Sequence, residues 1–281
     1  MERMRKPDWL KIKLSSAGDY AQVQQIIAQH RLHTICTAGR CPNLCDCWAH
    51  GTATLMILGD RCTRNCKFCN TLTGKPLPVD HDEPARVAAS ICQMRLKHAV
   101  ITSVDRDDLP DLGAAHWVQT ILAVKGMNPF VTIEALMPDF QGNTELIDTL
   151  IAAKPAIISH NLETVRRLTP LIRSVANYDT SLRVIEHVAK SGITAKSGLM
   201  VGFGESEKEV IEAITDLRKA GCSMLTIGQY LQPSKRNIAV TEYVAPVQFA
   251  HYKQVAMKQG FLHVESAPLV RSSYHAESQY K

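Results

Sequence analysis

At 281 residues, with 45% hydrophobic and 21% charged residues, the chain has ordinary globular composition and the length for one large domain, or one domain with extensions. No apolar run approaches the roughly 18 residues a membrane helix needs, and the start, "MERMRKPDWLKIKL", lacks the apolar core and cleavage site of a secretory signal. The net charge of +5 is too small and scattered to argue for nucleic acid, so neither nucleic acid nor membrane is expected as a partner.

Residues 1–35 read as an extension: an extended "WLKIKL" (9–14), then a helix from about Asp19 with Val23, Ile26 and Ile27 at helical spacing. Seven of the nine cysteines follow, four in "CTAGRCPNLCDCW" (36–48) and three in "RCTRNCKFCN" (61–70). A secreted disulfide scaffold would be shorter and would spread its cysteines, so the clustering predicts a reducing cytoplasm in which thiolates hold metal.

From residue 54 a strand–helix rhythm begins. Strand-like runs stand at 54–59, 98–104, 130–137, 156–161, 197–203 and 224–231. Amphipathic stretches such as "EPARVAASICQMRLK", "NTELIDTLIAA", "YDTSLRVIEHVAKSG" and "SEKEVIEAITDLRKAG" separate most of them. This alternation predicts βαβ units and a parallel sheet. Six units are too few for a closed eight-fold barrel, so the expected α/β fold is an open six-stranded partial (β/α)6 barrel, with a doubly wound sheet as the alternative. Ligands should gather at the C-terminal strand ends, where "TSVDRDD", Glu134, "SHNLE" and "GQYLQPS" stand. The chain then divides into an N-terminal extension carrying cysteines (1–53), the partial barrel (54–245), and a C-terminal helix and tail (246–281), with the last 20 residues outside the repeating units.

Cys62, Cys66 and Cys69 follow directly on the first strand. A structural zinc site closes its shell with four ligands, whereas three thiolates on a short loop suit a [4Fe–4S] cluster with one iron open to substrate. Cys-x3-Cys-x-aromatic-Cys after strand one, with Phe68 at the aromatic position, resembles the radical S-adenosylmethionine (SAM) superfamily. The resemblance implies that the open iron chelates SAM and that one electron cleaves it to methionine and a 5′-deoxyadenosyl radical. "GLMVGFGE" (198–205) fits the stretch that backs the adenine in that superfamily. The usual Gly-Gly-Glu after strand two is replaced by "TSVDRDD", which leaves Ser103 and Asp105 as candidates for the SAM amino group. Asp107 and Asp108 read equally as a solvated acidic loop. The candidate SAM contacts are therefore Phe68, Ser103, Asp105, Glu134, Asn161, Met200 and Gln229.

The first cysteine group, together with "ATLMILGDRCTRNCKFCNTLTGKPLP", "VITSVDRDDLPDLGAAHW", "HNLETV", "KSGLMVGFGE", "LTIGQYLQPS" and "PLVRSSYHA" in that order, resembles the lipoyl synthase family over residues 7–276. The family inserts two sulfur atoms at C6 and C8 of an octanoyl chain amide-linked to a lysine of a lipoyl carrier domain. Those carbons are not acidic and carry no leaving group, so radical chemistry is required. One radical per carbon implies two SAM molecules per product.

The resemblance assigns Cys36, Cys41 and Cys47 to a second, auxiliary [4Fe–4S] cluster, the sulfur donor. It assigns Ser273 as the fourth ligand of that cluster, although by position Ser272 and Ser273 are merely polar tail residues. It also implies octanoylated carriers (2-oxoacid dehydrogenase E2 subunits and glycine cleavage H protein), a low-potential electron donor such as ferredoxin or flavodoxin, and an iron–sulfur carrier for repair. Cys45 departs from the family pattern and leaves open a zinc site or a ligand set that uses it in place of Cys47. Cys92 and Cys222 read as packing residues, and His160, beside Asn161, is the histidine that draws notice. The competing readings are a two-cluster methylthiotransferase, for which 281 residues leave little room, and a zinc module that binds nucleic acid.

Overall fold

The computed structural model describes residues 5–11, 19–274 and 276. A 3-10 turn occupies Asp8–Leu10, where an extended "WLKIKL" was expected; Ile12–Leu14 lie outside the described residues. Helix α1 (Tyr20–Gln29) buries Val23 and Ile26, as the spacing required. Strand β1 (His33–Thr34), helix α2 (Ile35–Ala38) and helix α3 (Leu44–Ala49) carry the chain through the first cysteine group. Thr34 starts α2 by accepting a hydrogen bond from Thr37 N.

Strand β2 (Leu55–Ile57) begins the repeating part. Strands β3 (Arg61–Cys62) and β4 (Leu72–Thr73) form a small separate sheet. There follow α4 (Glu83–Gln93), β5 (His98–Ser103), α5 (Ala114–Met127), β6 (Thr132–Leu136), α6 (Thr144–Ala152) and β7 (Ile157–Ser159). Then come α7 (Thr169–Ile172), α8 (Tyr178–Lys190), β8 (Thr194–Val201), α9 (Glu207–Lys219) and β9 (Met224–Gln229). Helix α10 (Pro246–Lys258) and strand β10 (His263–Ser266) close the series. The helix starts are chemically marked: Asn143 and Asn177 cap α6 and α8, and Ser206 with Glu209 makes a capping box on α9.

The main sheet runs β1-β2-β5-β6-β7-β8-β9-β10. Strand β1 is antiparallel to β2, and every other neighbouring pair is parallel. The six expected strands are thus β2 and β5–β9, in an open sheet. The segment read as a tail outside the repeats contributes β10, parallel to β9. Four residues of mixed polarity, "HVES", gave no apolar run to recognise.

The alternating faces set the site. Ala99 and Ile101 of β5 face the helix layer with Trp117 and Ile121 of α5, all fully buried. The paired residues Val100 and Glu134 share the opposite, interior face. A second, smaller apolar cluster of Val23, Cys36, Trp48 and Ala53 holds the N-terminal segment together.

Candidate active site

The second cysteine group leaves β2 through Leu58 (φ 68°) and Gly59 (φ 94°). A left-handed leucine is strained, and its backbone is held on both sides. Leu58 N–H donates to Glu83 Oε2 (2.7 Å), which itself pairs with His116 (2.7 Å), and Arg106 reaches Leu58 O. The β3–β4 pairing and the bond from Gly74 N to Cys62 O close the loop that carries Cys62, Cys66 and Cys69.

Arg64, between the first two cysteines, is buried and gives the loop its anchor. Its Nε and Nη2 donate to the two carboxylate oxygens of Asp107 (2.8 Å each), Nη2 also reaches Asp139 (2.9 Å), and Nη1 lies 3.5 Å from Asp105. The loop after β3 is thereby bolted to the loops after β5 and β6. Burial pushes the Asp107 carboxyl up, but the bonds from Arg64, Gln141 and Thr63 outweigh it and bring it down to about 2. Burial and the neighbouring Asp105 push the Cys62 thiol to about 12, so binding a metal there must displace a proton.

Beside this loop lie Asn161, Glu163 and Arg173. The Ile172–Ser174 segment docks on the cysteine loop, through Lys67 N to Ile172 O (2.8 Å) and Asn65 N to Ser174 Oγ (3.1 Å). Arg173 donates to Ser181 Oγ (2.9 Å), and Ser181 contacts His160 Nε2 (3.0 Å). The other His160 nitrogen contacts Met137 O (3.1 Å). Burial, with Arg173 nearby, drives His160 down to about 4, so it is neutral and serves to hold Arg173. Asn161 Oδ1 and Arg173 Nε are buried without a hydrogen-bond partner among the described residues. Gly198 makes room for Asn161: a Cβ there would come within 2.7 Å of its Oδ1.

The first cysteine group borders a pocket. Cys36 of α2, Cys41, Cys47 of α3, Thr54, His98, Arg271 and Ser273 line it; Cys45 does not. Among the described residues no three thiol, imidazole or carboxylate groups converge on a single-ion position; the three cysteines instead share this pocket. Burial raises the Cys36 and Cys41 thiols, and Arg271 opposes the effect at Cys41.

The tail reaches the pocket from β10. Gln229 N donates to Pro268 O (3.1 Å) and Asn43 Nδ2 to Leu269 O (2.7 Å). Gly228 permits the close approach, since a Cβ there would collide with Val270 O. Ser273 Oγ then accepts from Thr54 Oγ1 (2.6 Å) at the pocket, while Ser272 Oγ accepts from Asn161 Nδ2 (2.9 Å) beside the cysteine loop. Adjacent serines, with Cα atoms about 3.8 Å apart, touch both places.

The sequence matches the Radical SAM superfamily over residues 56–217. Lipoyl synthase of Bacteroides fragilis is 61% identical over all of this chain and 97% of its own length. That of Parabacteroides distasonis is 60% identical over 98% of each. This chain belongs to the lipoyl synthase family. The fold agrees: the crystal structure of methylornithine synthase overlays with a TM-score of 0.56 at 10% identity, covering 95% of this chain and 88% of that one. Streptococcus suis SuiB overlays with a TM-score of 0.59 at 10% identity, covering 92% of this chain and 58% of that one.

Several expected contacts face elsewhere. Ser103 Oγ accepts from Trp117 Nε1 (3.2 Å) in the helix layer. Glu134 is buried in the barrel interior against Lys196 (2.9 Å), Ser159 (2.7 Å) and His98 (3.4 Å); burial raises its carboxyl, but Lys196 and His98 outweigh that and lower it. Gln229 spends its amide on the backbone of Tyr230, Glu242 and Val244. Glu134 and Gln229 have their polar groups engaged by these partners, whereas the Ser103 hydroxyl keeps its own proton to donate. Asp105 lies 3.4 Å from Cys62 Sγ. Met200 shares the interior face of β8 with Gly198, and Phe68 packs its ring against the main core. Asp107 is half-buried against Arg64, whereas Asp108, though paired with Arg106, is exposed, as the solvated-loop reading expected. Cys222 is buried, as a packing residue should be, but Cys92 is exposed on α4.

Sequence reasoning missed Arg64, Glu163, Arg173, Thr54 and Arg271. Arg64 sits inside the cysteine motif and Arg271 starts "RSSYH", so position could have flagged those two. No signal marks Arg173 in "LIRSV" or Thr54 in "GTATLM".

Proposed function

We propose that this chain is a sulfurtransferase that inserts two sulfur atoms at C6 and C8 of an octanoyl chain amide-linked to a lysine of a lipoyl carrier domain. The observation that carries the reading is the convergence of Cys36, Cys41, Cys47 and Ser273 on one pocket, beside a separate loop holding Cys62, Cys66 and Cys69. Two donor sets fit two [4Fe–4S] clusters: three thiolates and an open position on the loop, three thiolates and a serine oxygen in the pocket. When bound, the loop cluster and SAM supply a radical that takes hydrogen from an unactivated carbon, and the pocket cluster supplies sulfur.

The chain's own residues account for the rest. Arg64 and its three aspartates hold the cysteine loop in place. The partnerless Asn161 Oδ1 and Arg173 Nε offer one acceptor and one cationic donor, a pair suited to the ammonium and carboxylate of an amino-acid headgroup such as that of SAM. Ser272 and Ser273 set the two places side by side, which supports capture of a carbon radical by nearby sulfur before it reacts elsewhere.

Residues 1–53 then form the extension that carries the auxiliary site, 54–245 the radical-generating barrel, and 246–281 the helix and tail that return to the auxiliary site. The carriers fitting this chemistry are octanoylated E2 and glycine cleavage H domains, in a reducing cytoplasm with an electron donor and a repair carrier. The test is one anaerobic turnover with SAM, dithionite and an octanoylated carrier peptide. Lipoyl peptide with about two 5′-deoxyadenosine per product is expected; SAM cleavage without sulfur on the peptide would overturn the reading.

A further inference from the structure

The rim of the cysteine loop carries an excess of cations, with Asp60, Asp80 and Glu242 standing at the ends of its two segments. Arg61, Lys67 and Lys75 are exposed on it, and residues 61–78 contain no aspartate or glutamate. A second segment adds Lys235 and Arg236, both exposed. It is fastened to the loop through Ile238 N to Lys67 O (3.0 Å) and Asn237 Nδ2 to Cys69 O (2.7 Å). Residues 231–241 likewise carry no acidic side chain. Between the cations stand apolar side chains left in water: Leu72 and Leu77 beyond the last cysteine, and Leu171 and Val175 on the segment docked against Asn65 and Lys67. Single exposed leucines are ordinary, but four around one loop inside a cationic rim have the anatomy of a small docking face.

We propose that this rim docks an acidic one-electron donor protein whose redox group lies at its own surface. The proposal rests on the reading above, in which Cys62, Cys66 and Cys69 hold a cluster that must be reduced. The face surrounds the outer side of that loop, and electron transfer demands close approach, so a partner seated here delivers charge over the shortest route. One electron leaves the donor and enters the loop cluster, with no bond made or broken. Cations around an apolar centre steer an acidic partner and leave the encounter weak enough to turn over, as suits small redox interfaces. An octanoyl-lysyl arm, by contrast, must reach the barrel interior, where Asn161, Ser272 and Ser273 lie.

The test compares wild type with Lys75→Glu/Lys235→Glu/Arg236→Glu, three exposed positions outside the cysteine motif. An acidic bacterial flavodoxin is titrated at low and moderate salt, its dissociation constant is measured directly, and the octanoylated carrier domain is titrated in parallel. The expected result is flavodoxin binding weakened about tenfold or more in the variant, with wild-type binding falling as salt rises. 5′-Deoxyadenosine formation driven by flavodoxin should fall, while formation driven by dithionite stays at the wild-type rate. Unchanged flavodoxin affinity overturns the proposal. Lost carrier affinity with flavodoxin binding intact also overturns it and gives the face to the carrier. A wild type that binds flavodoxin through these cations yet makes no 5′-deoxyadenosine with dithionite supports the face and refutes the proposed function instead.

Discussion

Replacing Arg64 with methionine removes the guanidinium but keeps an unbranched apolar chain at a site only 3% exposed. Asp139, also 3% exposed, and Asp107, 22% exposed, then lose their cation and keep only neutral donors, Gln141 N at Asp139 and Thr63 with Gln141 at Asp107. For Asp107 the fall from 3.8 to about 2 corresponds to about 2 kcal/mol shared among Arg64, Gln141 and Thr63, so after partial exposure the share lost with Arg64 is about 1 kcal/mol. Because its carboxyl is held below its unfolded value, this contribution is full above about pH 4 and is lost as pH falls through about 2. Adding the deeper Asp139 places the whole loss at about 3–5 kcal/mol, the usual cost of breaking a buried pair. Urea unfolding of the reduced apo-protein at pH 7 should show it, alongside hydrogen exchange at the Thr63 and Cys69 amides, which would report opening confined to the loop. Arg64→Lys should recover less than half, since one ammonium cannot reproduce the two parallel bonds to Asp107. A urea loss under about 1 kcal/mol together with unchanged exchange would refute the clamp.

Anaerobically reconstituted protein should hold about eight irons per chain; tightly bound zinc with little iron would contradict both clusters. Alanine at Cys62, Cys66 or Cys69 should abolish 5′-deoxyadenosine formation, whereas alanine at Cys36, Cys41 or Cys47 should spare it and stop sulfur insertion. Cys45→Ala should keep full activity, because Cys45 does not line the pocket. Ser273→Ala and Ser273→Cys should both cleave SAM yet insert little sulfur, the cysteine variant because thiolate holds its iron too firmly; normal lipoyl yield from Ser273→Cys would refute that argument. Gly228→Ala should push Val270 and the tail off β9, costing about 1–3 kcal/mol and lowering iron retention at the pocket while the loop site stays loaded.

Six strands were legible because each is an apolar run bounded by polar turns. The Cys62, Cys66 and Cys69 loop stood out by its local spacing, whereas the grouping of Cys36, Cys41 and Cys47 came from the family resemblance, and the structure adds that these three border one pocket. What failed was long-range or directional. Strand β1 has two residues and β10 four of mixed polarity, too few for any period to register. Glu134 and Gln229 stand at strand positions where ligands gather, yet a sequence does not say which way a polar side chain is satisfied. Lys196, 62 positions from Glu134, and the backbone of Glu242, 13 from Gln229, decide it. Arg64 stands inside the cysteine motif, yet its role as a clamp did not show there, since its partner Asp107 lies 43 residues on.

The pocket shared by Cys36 and Ser273 has a consequence for synthesis. The arginine clamp draws only on residues 64–139, although the cysteine loop it anchors is also fastened to Ile172, Ser174, Asn237 and Ile238 farther along. That pocket draws on residues 237 positions apart, so it closes only after both segments have left the ribosome. The arginine clamp can therefore form earlier in synthesis than the pocket can close. Removing residues 272–281 would leave every strand of the main sheet in the chain and take away the serine that borders the pocket with Cys36.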